Sequence, residues 1–181
     1  RSADGPLAEA LAATAAARGF PWHETSGSLR AVLVPAKAGD GYLEAELKNG
    51  RLKSLRRQTR RLHELGSVDW KFVTGPELSP ARMDAFLDLE HRGWKGTEGT
   101  SLRSSPNDEA FFREATAAFR DVGRAWFTEL RLNGVAISST SNFISGRAGF
   151  AFKIGWDPAH AKLSPGMLNE IEIIRRAPEL F

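Results

Sequence analysis

The stretch "AWFTELRLNGVAISSTSNF", residues 125–143, decides the fold. Two β-type runs, "AWFTELRL" (125–132) and "VAISSTSNF" (135–143), flank Asn133-Gly134. Asn-Gly between such runs is the strongest short hairpin signal, because both turn residues must take positive φ. Moving outward, Ser145-Gly146-Arg147 makes a second turn into "AGFAFKIGW" (148–156), where Phe150, Phe152, Ile154 and Trp156 are expected along one face. Three antiparallel strands then feed a helix expected over 165–177, with Met167, Ile171 and Ile174 turned inward.

Upstream of the hairpin, helical and extended segments alternate. Ser79-Pro80 and Ser105-Pro106 each read as an N-cap followed by a first-turn proline. The first helix buries Met83, Phe86 and Leu87 and stops at Gly93; the second presents Phe112, Ala115, Phe119 and Val122 before Gly123. Between them "GWKGTEGTSLRSS" (93–105) reads as a loop. "VDWKFV" (68–73) alternates like a half-buried strand. Leu52, Leu55, Leu62 and Leu65 place an apolar stripe on a helix ending at Gly66. Earlier still, "LRAVLVP" (29–35) reads as a short β-type run and residues 39–41 as a loop. Asp4, Pro6 and Gly19 frame a first helix. Helices, then a meander, then a helix make an α+β layout.

Composition narrows the chemistry. With no cysteine, the chain has no disulfide, no thiolate metal site and no cysteine nucleophile. His23, His63, His91 and His160 lack metal-ligand spacing, so no metal is expected. No apolar run reaches the ~20 residues of a membrane span. The net charge of +3 conceals a local +7 over residues 48–63, so the rest of the chain sums to −4. The chain starts at Arg1 and stops soon after a helical pattern, which reads as a piece of a longer protein.

The segment "GWDPAHAKLSPGMLNEIEII" (155–174) sets a cation, a hydroxyl, a proline and a glycine at one strand-to-helix junction. One reading is a well-capped helix start. The other is an anion cradle, because a helix start offers unpaired amides and partial positive charge. Gly166 would allow close backbone approach and Lys162 would add a full charge.

Together with "LRRQTRRLHELG", "FLDLEHRGWKG", "FFREATAAF" and "TELRLNGVAISS", this segment resembles the core of the GNAT N-acyltransferases. Residues 51–177 look more closely like the GNAT-related domain of bacterial cellulose-biosynthesis-type acetyltransferases, kin to the Fem peptidyltransferases. The resemblance implies a GNAT-like mixed sheet flanked by helices over 51–181, lacking its C-terminal strands, after a partial α/β unit over 1–50. It implies a cytoplasmic enzyme that moves an acetyl or acyl group from acyl-CoA to an amine or hydroxyl. The acceptor would be a sugar, polysaccharide precursor or small metabolite, and a homodimer stays open. Some relatives use an aminoacyl-tRNA donor instead.

The family's pyrophosphate pattern, Gln or Arg, two residues, Gly, any residue, Gly or Ala, falls on Ala161–Gly166. Gly166 fits, Ser164 replaces the first glycine, and Lys162 stands in for the missing charge beside Ala161. Donor binding would then engage Lys162, Leu163, Ser164, Gly166, Met167 and Leu168. Base candidates are Glu129, Asp157 and His160; Glu90, Arg92, Trp94 and Lys95 would line the acceptor site. The tyrosine that many relatives use toward the leaving thiolate has no match, since the one tyrosine is Tyr42. A competing reading is a degenerate GNAT-fold module whose 48–63 helix binds RNA, an anionic membrane or a protein partner.

Overall fold

The computed structural model describes residues 5–23 and 31–181, in two compact units, Arg1–Val34 and Pro35–Phe181. The first contains helix α1 (Pro6–Ala17), which ends before Gly19 at φ +70°. Asp4 and residues 29–30 lie outside the described residues, and residues 31–34 form no strand, against the β-type run expected there.

The second unit is built on one antiparallel sheet. Its strands are β1 (Val68–Thr74), β2 (Ala125–Leu132), β3 (Val135–Ser145) and β4 (Ala148–Trp156), in that spatial order. Asn133 and Gly134, at φ 51° and 79°, close the β2–β3 turn. Asn133 also accepts from the amide of Ser67 at 2.9 Å, which sets where β1 begins beside the hairpin. In register, Val68 lies opposite Leu132 and Thr74 opposite Trp126.

Helices cover both faces. One carries α4 (Pro80–Arg92), the short α5 (Trp94–Thr97) and α6 (Pro106–Asp121). Here Phe86, Phe112 and Phe127 stack with Val73, Leu78 and Met83, each large side chain adding roughly 1.5–3 kcal/mol. The other face carries α2 (Asp40–Glu46), α3 (Asn49–Glu64) and α7 (Pro165–Leu180). There Leu55, Leu62, Leu130, Leu132, Leu168 and Ile171 form a second cluster.

Several expectations change. Asp40 and Gly41, expected in a loop, instead open helix α2, because Leu43 is buried in the second cluster and Gly39 donates to the carbonyl of Ile174 at 3.0 Å. That carbonyl is free because Pro178, inside α7, has no N–H to offer it. Helix α7 runs past Ala177 to Leu180 with that one bond missing. Leu168, not Met167, turns inward; Met167 is 40% exposed. On α6 the inner positions are Phe112 and Thr116, whereas Val122 follows the helix end and is exposed.

The four apolar residues of β4 do not share a face. A bulge pairs Ser141 with Lys153 and Asn142 with Ala151, leaving Phe152 as the extra residue. Phe150 and Phe152 consequently sit on the α6 side, where Phe152 meets Phe112 and Phe143. Ile154 and Trp156 face the start of α7.

Candidate functional site

The junction between β4 and α7 is built from three short pieces. Asp157 caps the 3-10 turn Pro158–Leu163, its Oδ1 accepting from Ala159 N at 2.9 Å. Its Oδ2 lies 3.8 Å from His160 Nδ1 and 3.9 Å from Arg92 Nη1. His160 Nδ1 is buried with no hydrogen-bond partner among the described residues.

Ser164 comes next, and its backbone is unusual. A serine N-cap is ordinarily extended, which brings its oxygen onto the amides of the first turn. Ser164 is instead left-handed, at φ 51° and ψ 53°, a conformation that costs a non-glycine residue roughly 1–2 kcal/mol. Its Oγ turns away to accept from Gln58 Nε2 of α3 at 3.0 Å. No side chain caps α7, and the first amide with an acceptor is Leu168, which donates to Ser164 O at 3.0 Å. The N–H groups of Gly166 and Met167 have no acceptor among the described residues. The start of this 16-residue helix thus carries two adjacent amides without an acceptor where the helix dipole is positive, that of buried Gly166 and that of exposed Met167.

Gly166 contributes differently from the sequence expectation. A Cβ there would meet Ile154 Cδ1 at 3.3 Å and Trp156 Cδ1 at 3.4 Å. Its missing side chain admits β4, and the helix start is held tightly against that strand. Lys162 and Met167 are exposed at the rim. Leu163 and Leu168 pack into the second core cluster below, so only their backbones face the junction.

The α4–α5 segment meets β4 along a row of charges. Glu90 is fully buried: Oε2 accepts from Leu102 N at 2.9 Å, and Oε1 lies 3.3 Å from Lys95 Nζ and 3.8 Å from Lys153 Nζ. Lys95 also donates to Ile154 O at 2.8 Å. Arg92 and Trp94 remain exposed. Arg92, Asp157 and His160 therefore converge, with Lys95 held at Ile154, three residues back along the chain from Asp157.

Glu129 does not join them. It pairs across to Ser139, which pairs to Gly155, so it sits two strands in from β4, about 10 Å. Its carboxylate is buried and clamped by Arg82 at 2.6 Å and Arg131 at 3.3 Å.

Three polar residues escaped the sequence reading: Gln58, Asn169 and Glu170. Asn169 Nδ2 donates to Thr128 Oγ1 at 2.9 Å and Thr140 Oγ1 at 3.2 Å, while its Oδ1 accepts from Trp70 Nε1 at 2.9 Å. Thr140 Oγ1 in turn donates to Glu170 Oε1 at 2.6 Å. Burial pushes the Glu170 carboxyl above its ordinary range, although the Thr140 hydrogen bond opposes this. The available signal was the run Ser138–Asn142, five small polar residues in a strand covered on both faces, whose side chains must find partners in the sheet or on a covering helix.

Among the described residues no group of His, Asp and Glu is placed to hold a metal ion, and no helix is long and apolar enough to cross a membrane. Residues 49–180, from α3 through α7, match the model of a family described as an acetyltransferase (GNAT) domain. No curated protein matches the chain.

Proposed function

The chain belongs to the acetyltransferase (GNAT) domain family, and on that premise we propose that it transfers an acetyl or other acyl group from acyl-CoA to an amine or hydroxyl of a sugar, polysaccharide precursor or small metabolite. The observation that carries this reading is the uncapped start of α7, with Ser164 turned to Gln58 and the amides of Gly166 and Met167 without an acceptor among the described residues. These amides would hold the donor's pyrophosphate, with Lys162 as the nearby cation. The proposal extends to a cytoplasmic enzyme of the cellulose-biosynthesis type, able to form a homodimer.

The acceptor attacks the thioester carbonyl, a C–N or C–O bond forms, the C–S bond breaks, and the thiolate leaves to take up a proton. A base on the chain, or water, takes the acceptor's proton. Among the candidates, His160 beside Asp157 is the better placed, since Glu129 is spoken for by two guanidinium groups. Arg92 and Trp94 offer exposed surface for the acceptor. Buried Glu90 would act through Lys95, holding its ammonium at β4.

Met167→Asp tests the donor site. A carboxylate in the first turn favours the helix by about 0.3–1 kcal/mol and competes for the same amides. The variant is expected to match or exceed the parent Tm without ligand and to lose the Tm rise that acetyl-CoA gives the parent. If acetyl-CoA leaves the parent unmoved and short RNA raises its Tm in a salt-sensitive way, the binding-module reading replaces this one.

A further inference from the structure

Helix α3 carries more positive charge than its ion pairs use: Arg51, Lys53, Arg57 and Arg61 are exposed and have no ion pair among the described residues. Successive helix residues turn by about 100°, and Leu55 and Leu62 mark the buried face. On the flank toward α2, Arg56 pairs with Glu44 at 3.3 Å, and Arg60 pairs along the helix with Glu64 at 3.6 Å. On the other flank Gln58 reaches Ser164. Arg61, one turn beyond Gln58, and Arg57, one turn before Arg61, lie on this same side and are exposed. No carboxylate among the described residues is within ion-pair reach of Arg57, Arg61 or Lys162. Like charges four apart on a helix repel, so folding alone does not favour this placement.

We propose that Arg57 and Arg61 hold the 3′-phosphate of the coenzyme A donor, while the open amides of α7 take its pyrophosphate; this rests on the acyl-CoA reading above. Coenzyme A carries a third phosphate on its ribose, separate from the pyrophosphate, and that group needs its own cations. Guanidinium groups suit it because they donate in a planar fork that matches phosphate oxygens. The Gln58–Ser164 hydrogen bond fixes the spacing between the two phosphate sites. A nucleic acid fits less well. Its backbone needs charge along a continuous track, and here Arg56 and Arg60, which would extend the track, are already paired with Glu44 and Glu64.

The test is equilibrium binding of acetyl-CoA and of 3′-dephospho-acetyl-CoA to the chain and to two double variants. The parent is expected to prefer acetyl-CoA by about tenfold or more, and more weakly at high salt. Arg57→Gln with Arg61→Gln should erase the preference while leaving dephospho-donor binding in place. Arg56→Gln with Arg60→Gln, on the paired flank, should keep it. Equal binding of the two donors by the parent, or an intact preference in the Arg57/Arg61 variant, overturns the proposal and leaves the acyl-CoA reading standing. Binding of neither donor overturns both.

Discussion

A Cβ added to Gly155 would stand 2.5 Å from the backbone nitrogen of Glu90. Strand β4 and the last turn of α4 thus meet backbone to backbone. That contact brings Glu90 and Lys95 to Ile154, and it carries Arg92 to Asp157. The neighbour is main chain, so it cannot swing aside. Gly155→Ala is expected to cost about 1–3 kcal/mol by overpacking, read as a lower denaturation midpoint with an unchanged slope. A change below half a kcal/mol would mean that the two backbones are not in contact.

Asn169 ties α7 to three strands at once, through Trp70, Thr128 and Thr140. Asn169→Leu fills a similar volume but leaves an indole N–H and two hydroxyls in a dry interior. Each buried orphan costs about 1–3 kcal/mol, less where a hydroxyl can rotate to another acceptor. The expected loss is at least about 2 kcal/mol. A thermally neutral variant would show that water already serves these groups.

Glu170 predicts a pH signature. Its carboxyl is raised from the ordinary 4.5, first by burial. The folded chain therefore holds this proton more tightly than the unfolded chain does. The stability it contributes is complete below the unfolded value and is lost as pH rises through the folded one. Glu170→Gln keeps an acceptor for Thr140 and removes the titration. The variant should gain Tm over the parent between pH 4.5 and neutrality and show no gain on the acid side. A gap independent of pH, or one of opposite slope, would contradict the assigned burial.

Local signals were most legible where geometry is dictated within a few residues. Asn133-Gly134 announced its turn because a hairpin of that length needs two positive φ values. Ser79 and Ser105 announced helix starts, and both side chains accept from the amide three residues on. By the same rule Ser164 should have capped α7, and it does not. Its Oγ is taken instead by a partner 106 residues away, Gln58, which no local pattern can reveal. The β4 bulge was hidden for a related reason: a single extra residue, Phe152, shows only against the register of β3.

Sequence alone determined the α+β class, the meander, the helix boundaries near Ser-Pro and Gly, and the concentration of positive charge in one helix. These follow from periodicity, capping and turn chemistry, which act over a turn or two of chain. Tertiary structure decided which charges stay unpaired, which glycine admits a strand, and that the start of α7 is left uncapped. Those outcomes depend on contacts between segments far apart in the chain, where a neighbour's backbone or side chain decides whether a donor is satisfied or left open to a ligand.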